Sequence, residues 1–198
     1  APSPAPTPAE PGSASAPETD TPVSAAAPTN AEPPTESAES TPTCDAAPAW
    51  RYERIELPPP FAPSLPAGVE VLWFAPGMFE PAATDYFTYS FSLRWAGAGL
   101  GDTPLPDALH AYYDGLMRAV AGSRDAEPRA PVVVALAEDG RSGTVTLSDE
   151  FTGGETITVH LRVGGDASCM RLYATAKPTE AIWARLAATD ACLCGGAS

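Results

Sequence analysis

The chain has 198 residues, 25 acidic against 11 basic, and a formal net charge of −14. That balance excludes nucleic-acid or anionic-membrane binding through bulk electrostatics, because both need a basic surface. The acidity mainly supports solubility, and Lys177 is the only lysine.

Residues 1–43 are chiefly Pro, Ala, Ser, Thr and acid, with Val23 the one large apolar side chain; no aromatic precedes Trp50 and no basic residue precedes Arg51. Such a segment buries too little apolar surface to offset its chain entropy, so a disordered tether is predicted over 1–43, kept extended by its prolines. Residues 44–198 are long enough for one domain with a real core. No apolar run has the length of a membrane span or a signal core, and the chain starts at Ala1; the expectation is a mature exported chain whose tether spaces the domain from an anchor upstream, such as a lipid. The lack of Gln and the excess of Arg over Lys fit a GC-rich bacterial genome.

The even set Cys44, Cys169, Cys192 and Cys194 favours disulfides in an exported chain. Cys192 and Cys194 are too close to bridge each other comfortably. The favoured pairing is Cys44–Cys194 with Cys169–Cys192. A four-cysteine zinc site lacks the usual C-x₂₋₄-C spacing.

Trp50, Tyr52, Ile55 and Leu57 suit an edge segment, after which Pro58, Pro59, Pro60, Pro63 and Pro66 forbid regular pairing. Val69–Phe74 is a strand, and Ala75-Pro76-Gly77-Met78 suits a type II turn. Phe87–Trp95 alternates Phe87, Tyr89, Phe91, Leu93 and Trp95 against Thr88, Ser90, Ser92 and Arg94, which makes it a half-buried strand with a heavy inner face. Gly97–Thr103 is a connector: its glycines lack the Lys-Ser/Thr of a phosphate loop.

A helix follows from Thr103-Pro104 or Pro106-Asp107 to Gly122, with Leu105, Leu109, Tyr112, Leu116 and Val120 on its apolar stripe. His110, Tyr113, Asp114 and Arg118 fall mostly off that stripe. His110 and Asp114 could form an i,i+4 surface pair, and with no third ligand in sight no metal is expected. Strands at Val132–Ala137, Gly143–Phe151, Thr156–Val163 and Cys169–Ala176 are separated by Asp139-Gly140, Gly153-Gly154 and Gly164-Gly165, which gives an antiparallel meander. Thr179 caps a last helix with Ile182, Trp183 and Leu186 inward. The fold expected is α+β: a mostly antiparallel sheet, β-β-α-β-β-β-β-α along the chain, with two helices packed on one face.

Inner-face residues set a register in which Leu147 faces Leu161 and Leu161 faces Leu172. On the other face this aligns Ser148, His160 and Tyr173, and sets Arg162 directly opposite Arg171. Two such arginines repel unless an anion sits between them, so Arg162, Arg171, His160, Tyr173 and Ser148 form a candidate site for an anionic ligand group. The simpler alternative is a wet face with Asp149, Glu150 or Glu155 folded over the arginines. A second candidate is an aromatic pocket around Trp73, Tyr89, Trp95 and Tyr112, drawn from a set that also holds Phe74, Phe79, Tyr86 and Tyr113. The competing account is packing between sheet and helix.

There is no G-x-S-x-G, S-x-x-K or H-E-x-x-H motif. The expected function is therefore a non-catalytic, exported, cofactor-free domain that binds a small ligand or an envelope partner. The alternatives are a hydrolase working through carboxylates or the Ser148/His160 face, and a structural envelope protein.

Overall fold

In a computed structural model the described residues are 43–194, apart from 98, 125 and 167. The predicted tether therefore lies almost wholly outside them. The aromatic strand, β3 (Tyr89–Trp95), sits inside the sheet between β2 (Gly68–Phe74) and β7 (Met170–Thr175). β1 (Arg51–Leu57) forms one edge. The other half continues through β6 (Glu155–Gly165) and β5 (Ser142–Asp149) to β4 (Val133–Leu136), so that seven antiparallel strands run β1-β2-β3-β7-β6-β5-β4. Arg51, Glu53, Arg54 and Glu56 on β1 give that edge the charges that discourage edge-to-edge pairing.

Period-2 alternation divides β3 between two cores. Tyr89, Phe91 and Leu93 join one hydrophobic cluster with Leu72, Leu161 and Leu172, covered by α1 (Leu105–Gly122). Ser90 and Ser92 face the other way and are fully buried. There α2 (Glu180–Ala188) and α3 (Asp190–Leu193) close a second cluster of Trp50, Val71, Trp73, Ile182, Leu186 and Leu193. The α+β class and antiparallel sheet are as expected, but the helices cover opposite faces rather than one. The reason is chemical: the small serines allow close approach, and Ser92 donates to the Leu193 carbonyl at 2.7 Å while Thr189 donates to Ser90 Oγ at 2.7 Å.

α1 starts after Pro104 and buries Ala108, Leu109, Tyr112, Tyr113, Met117 and Ala121. Its apolar face is thus turned toward Tyr113, which is 1 % exposed rather than off the stripe. Gly115 admits the proline-rich loop, since a Cβ there would run into the Phe61 carbonyl. Asp114 pairs with Arg118 at 2.8 Å instead of with His110. Gly77 is likewise a packing glycine. It is absent from the positive-φ glycines, which rules out the type II turn, and a Cβ on it would strike Asp85.

The register of the second half differs from expectation. Leu147 faces Ile157, and Leu161 faces Ala174. The turns are responsible. Asp149 ends β5 early: its carboxylate accepts from the Phe151 N–H at 3.0 Å, and its carbonyl accepts from Gly154 N–H at 2.6 Å. At the next turn Asp166 accepts from the Ser168 and Cys169 amides, and Gly165 takes φ +85°. Both slips are even, so the predicted inner and outer faces survive.

The disulfides are Cys44–Cys192 and Cys169–Cys194, the reverse of the favoured assignment. Cys192 and Cys194 both pack against the cluster that holds Cys44, but Cys194, just past α3, is the one that meets the β6–β7 turn. Their sequence separations of 148 and 25 residues imply unequal loop-closure terms, about 5 against about 3.5 kcal/mol. Replacing Cys44 and Cys192 by Ala should therefore cost more in chemical unfolding than replacing Cys169 and Cys194. An equal or reversed order would show that loop length does not set their contributions.

Candidate functional site

The predicted arginine site does not assemble. Arg162 stands across from Tyr173, and Arg171 across from Gly164, so the two guanidinium groups are not opposed. Arg171 instead bonds Asp190 Oδ2 at 2.6 Å, and Tyr173 donates its hydroxyl to Asp190 Oδ1. Burial and the neighbouring Asp190 carboxylate push the Tyr173 phenol upward. Arg162 lies over the Trp183 ring at 4.1 Å, a cation–π contact. The acid that answers Arg171 comes from α3, not from the Asp149, Glu150 or Glu155 considered in sequence. Ser148 is fully buried opposite Thr156, and His160 is half-buried opposite Thr144. Four residues of strand, roughly 13 Å, separate the two along the sheet. That is too far for a nucleophile–base pair. What remains around Arg162, His160 and Trp183 is a pair of shallow open grooves.

The aromatic prediction divides between the faces. Trp73 belongs to the second core, tilted against Tyr52 at 5.1 Å, and Trp95 is half-buried at the end of β3. Tyr89 and Tyr112 do come together, in a cavity of about 170 Å³ between α1 and the β1–β3 half of the sheet. Phe74, Phe87, Met78 and Met117 continue its wall, and Arg51, Glu53 and Phe79 lie at exposed positions around it. Arg51 rests against the Phe74 and Phe79 rings at 5.1 and 5.5 Å. One cationic and one anionic side chain at the rim leave no net charge preference there.

Three tyrosine hydroxyls and one carboxyl lie within this apolar setting. Tyr89 and Tyr113 share a hydrogen bond of 2.6 Å between their hydroxyls. Tyr112 donates to Glu70 Oε1 at 2.9 Å, and Glu70 Oε2 has no partner. Glu70 is fully buried on the α1 side of β2, and desolvation, with a smaller contribution from Glu53, pushes its carboxyl up to about 8 against the lowering effect of the Tyr112 bond. Desolvation likewise holds the Tyr89, Tyr112 and Tyr113 phenols well above their ordinary range. At neutral pH the site is therefore uncharged inside. Sequence reading did not single out Glu70, although an acid amid Val69, Val71 and Leu72 on an otherwise apolar strand was the available signal.

Comparison with protein-family models, with curated proteins and with solved structures finds no match to this chain.

The raised Glu70 carboxyl has a thermodynamic signature. In the folded state it keeps its proton up to about pH 8, whereas the unfolded chain releases it near 4.5. Folding stability is then highest below pH 4.5 with respect to this group, falls by roughly 1.4 kcal/mol per pH unit between the two values, and levels off above pH 8. Glu70→Gln, which keeps the acceptor for Tyr112, should remove that slope in denaturant titrations run from pH 5 to 8. Parallel stability curves for the two proteins would contradict a buried neutral carboxyl.

Proposed function

We propose that this chain is a non-catalytic binding module that takes a small, predominantly apolar ligand into the cavity beneath α1. The observation that carries the reading is the cavity itself: about 170 Å³, lined mostly by aromatic and apolar side chains, with an exposed rim. Apolar cavities of about 150 Å³ stay dry and take up benzene. A site whose inner polar groups are uncharged at neutral pH, with Arg51 and Glu53 only at its rim, suits binding by exclusion from water better than acid–base chemistry.

We further place the protein in an oxidising compartment: periplasmic, cell-surface or extracellular, in a bacterium. The support is that all four cysteines are paired, as expected of a chain that folds outside a reducing cytoplasm. Among the described residues no helix is long and apolar enough to cross a membrane. In this reading residues 1–43 are the tether that carries the domain, held upstream by an anchor such as a lipid.

Toluene is a direct probe, because a ligand that binds only the folded state must raise the unfolding midpoint. The oxidised full chain should show a saturable upward shift with toluene. Leu116→Trp, which puts an indole into the lining, should abolish it. No shift in the wild type, or an equal shift in the variant, would overturn the reading.

A further inference from the structure

Resting on that reading, we propose that the ligand carries a hydrogen-bond acceptor oxygen, such as a ketone or aldehyde carbonyl, which takes a hydroxyl proton from the Tyr89–Tyr113 pair. Each phenol brings one O–H, and the bond between the two oxygens uses only one of them. Whichever tyrosine donates, the acceptor's own proton is left over. Among the described residues neither hydroxyl makes any other hydrogen bond, and both side chains are buried, at 4 % and 1 % exposure. Both tyrosines also line the cavity. Tyr112 is not a free donor, because its proton goes to Glu70. An unmet donor at the wall of an apolar cavity is costly when empty and selective when filled.

The pair also explains why an acceptor is favoured over a charged or donor-bearing ligand. The inner wall presents a surplus of O–H and no free carboxylate, while the rim opposes Arg51 to Glu53. A donor group on the ligand would bond a phenol lone pair but leave the spare proton of the pair unmet, and an ion would be desolvated with no counter-charge inside.

The test compares acetophenone with α-methylstyrene, in which a methylene replaces the carbonyl oxygen in nearly the same shape. Both are titrated calorimetrically into the oxidised full chain. The deciding protein is the double variant Tyr89→Phe/Tyr113→Phe. The double variant removes both hydroxyls, and the ratio should fall by about tenfold while α-methylstyrene still binds. A ratio unchanged in the double variant, with the hydrocarbon bound throughout, would overturn the inference and leave the cavity reading standing. Failure of the wild type to bind either probe would remove both. If the double variant does not fold, the infrared carbonyl stretch of acetophenone bound to the wild type decides. A shift to lower wavenumber than in alkane solution supports donation, and an alkane-like position refutes it.

Discussion

The rest of the structure depends on burial of β3 on both faces. A strand in the interior of an antiparallel sheet usually shows one face to water. Here Tyr89, Phe91 and Leu93 are covered by α1 and its loops, while Ser90 and Ser92 are covered by α2 and α3. The two faces have different chemistry. On the first, large rings fill volume. On the second, small hydroxyls let helix backbone come close and are satisfied by Leu193 and Thr189. The disulfide from Cys192 to Cys44 and the one from Cys194 to Cys169 fasten the C-terminal end of that second layer to both halves of the sheet.

Packing with large rings is also what leaves a hole. Stiff aromatic side chains meet at fixed tilts: Phe79 and Phe151 at 5.4 Å, Phe61 and Tyr112 at 5.5 Å, Phe87 and Tyr89 at 5.9 Å. Flat rings from the sheet, from α1 and from three loops do not tile the space between them, and Met78 and Met117 fill it only in part. Phe87 itself is held at φ +47°, a conformation uncommon for a bulky residue, where its amide donates to Met78 and its carbonyl accepts from Ala176. That residue turns the chain from the 75–86 loop into β3 and sets its ring in the cavity wall.

Much of this was legible from the sequence and some was not, for identifiable reasons. The period-2 pattern of residues 89–95 and the apolar spacing of α1 located the main core, because burial enforces both. Faces were readable; registers were not, because a cross-strand partner depends on where the turn closes. Asp149 and Asp166 close their turns with side-chain bonds that do not show in hydrophobic periodicity. The same gap explains the lost arginine site: a shifted register separated Arg162 from Arg171, and Asp190, from a helix 19 residues on, took the vacancy beside Arg171. Of the aromatic set, Tyr89 and Tyr112 share the cavity, whereas Trp73 has the opposite strand parity and was bound to point to the other face. The side of the sheet that each helix covers follows from the small size of Ser90 and Ser92, a signal present in the alternation but not in hydrophobicity.

If the space beneath α1 takes a ligand, the methionines report it directly. Met78 and Met117 line the cavity; Met170, the third and last methionine of the chain, does not. With the methionine methyls carbon-13 labelled, toluene added to the oxidised full chain should move the Met78 and Met117 signals along a saturating curve and leave Met170 in place. Three stationary signals, or three that drift together without saturating, would contradict the account.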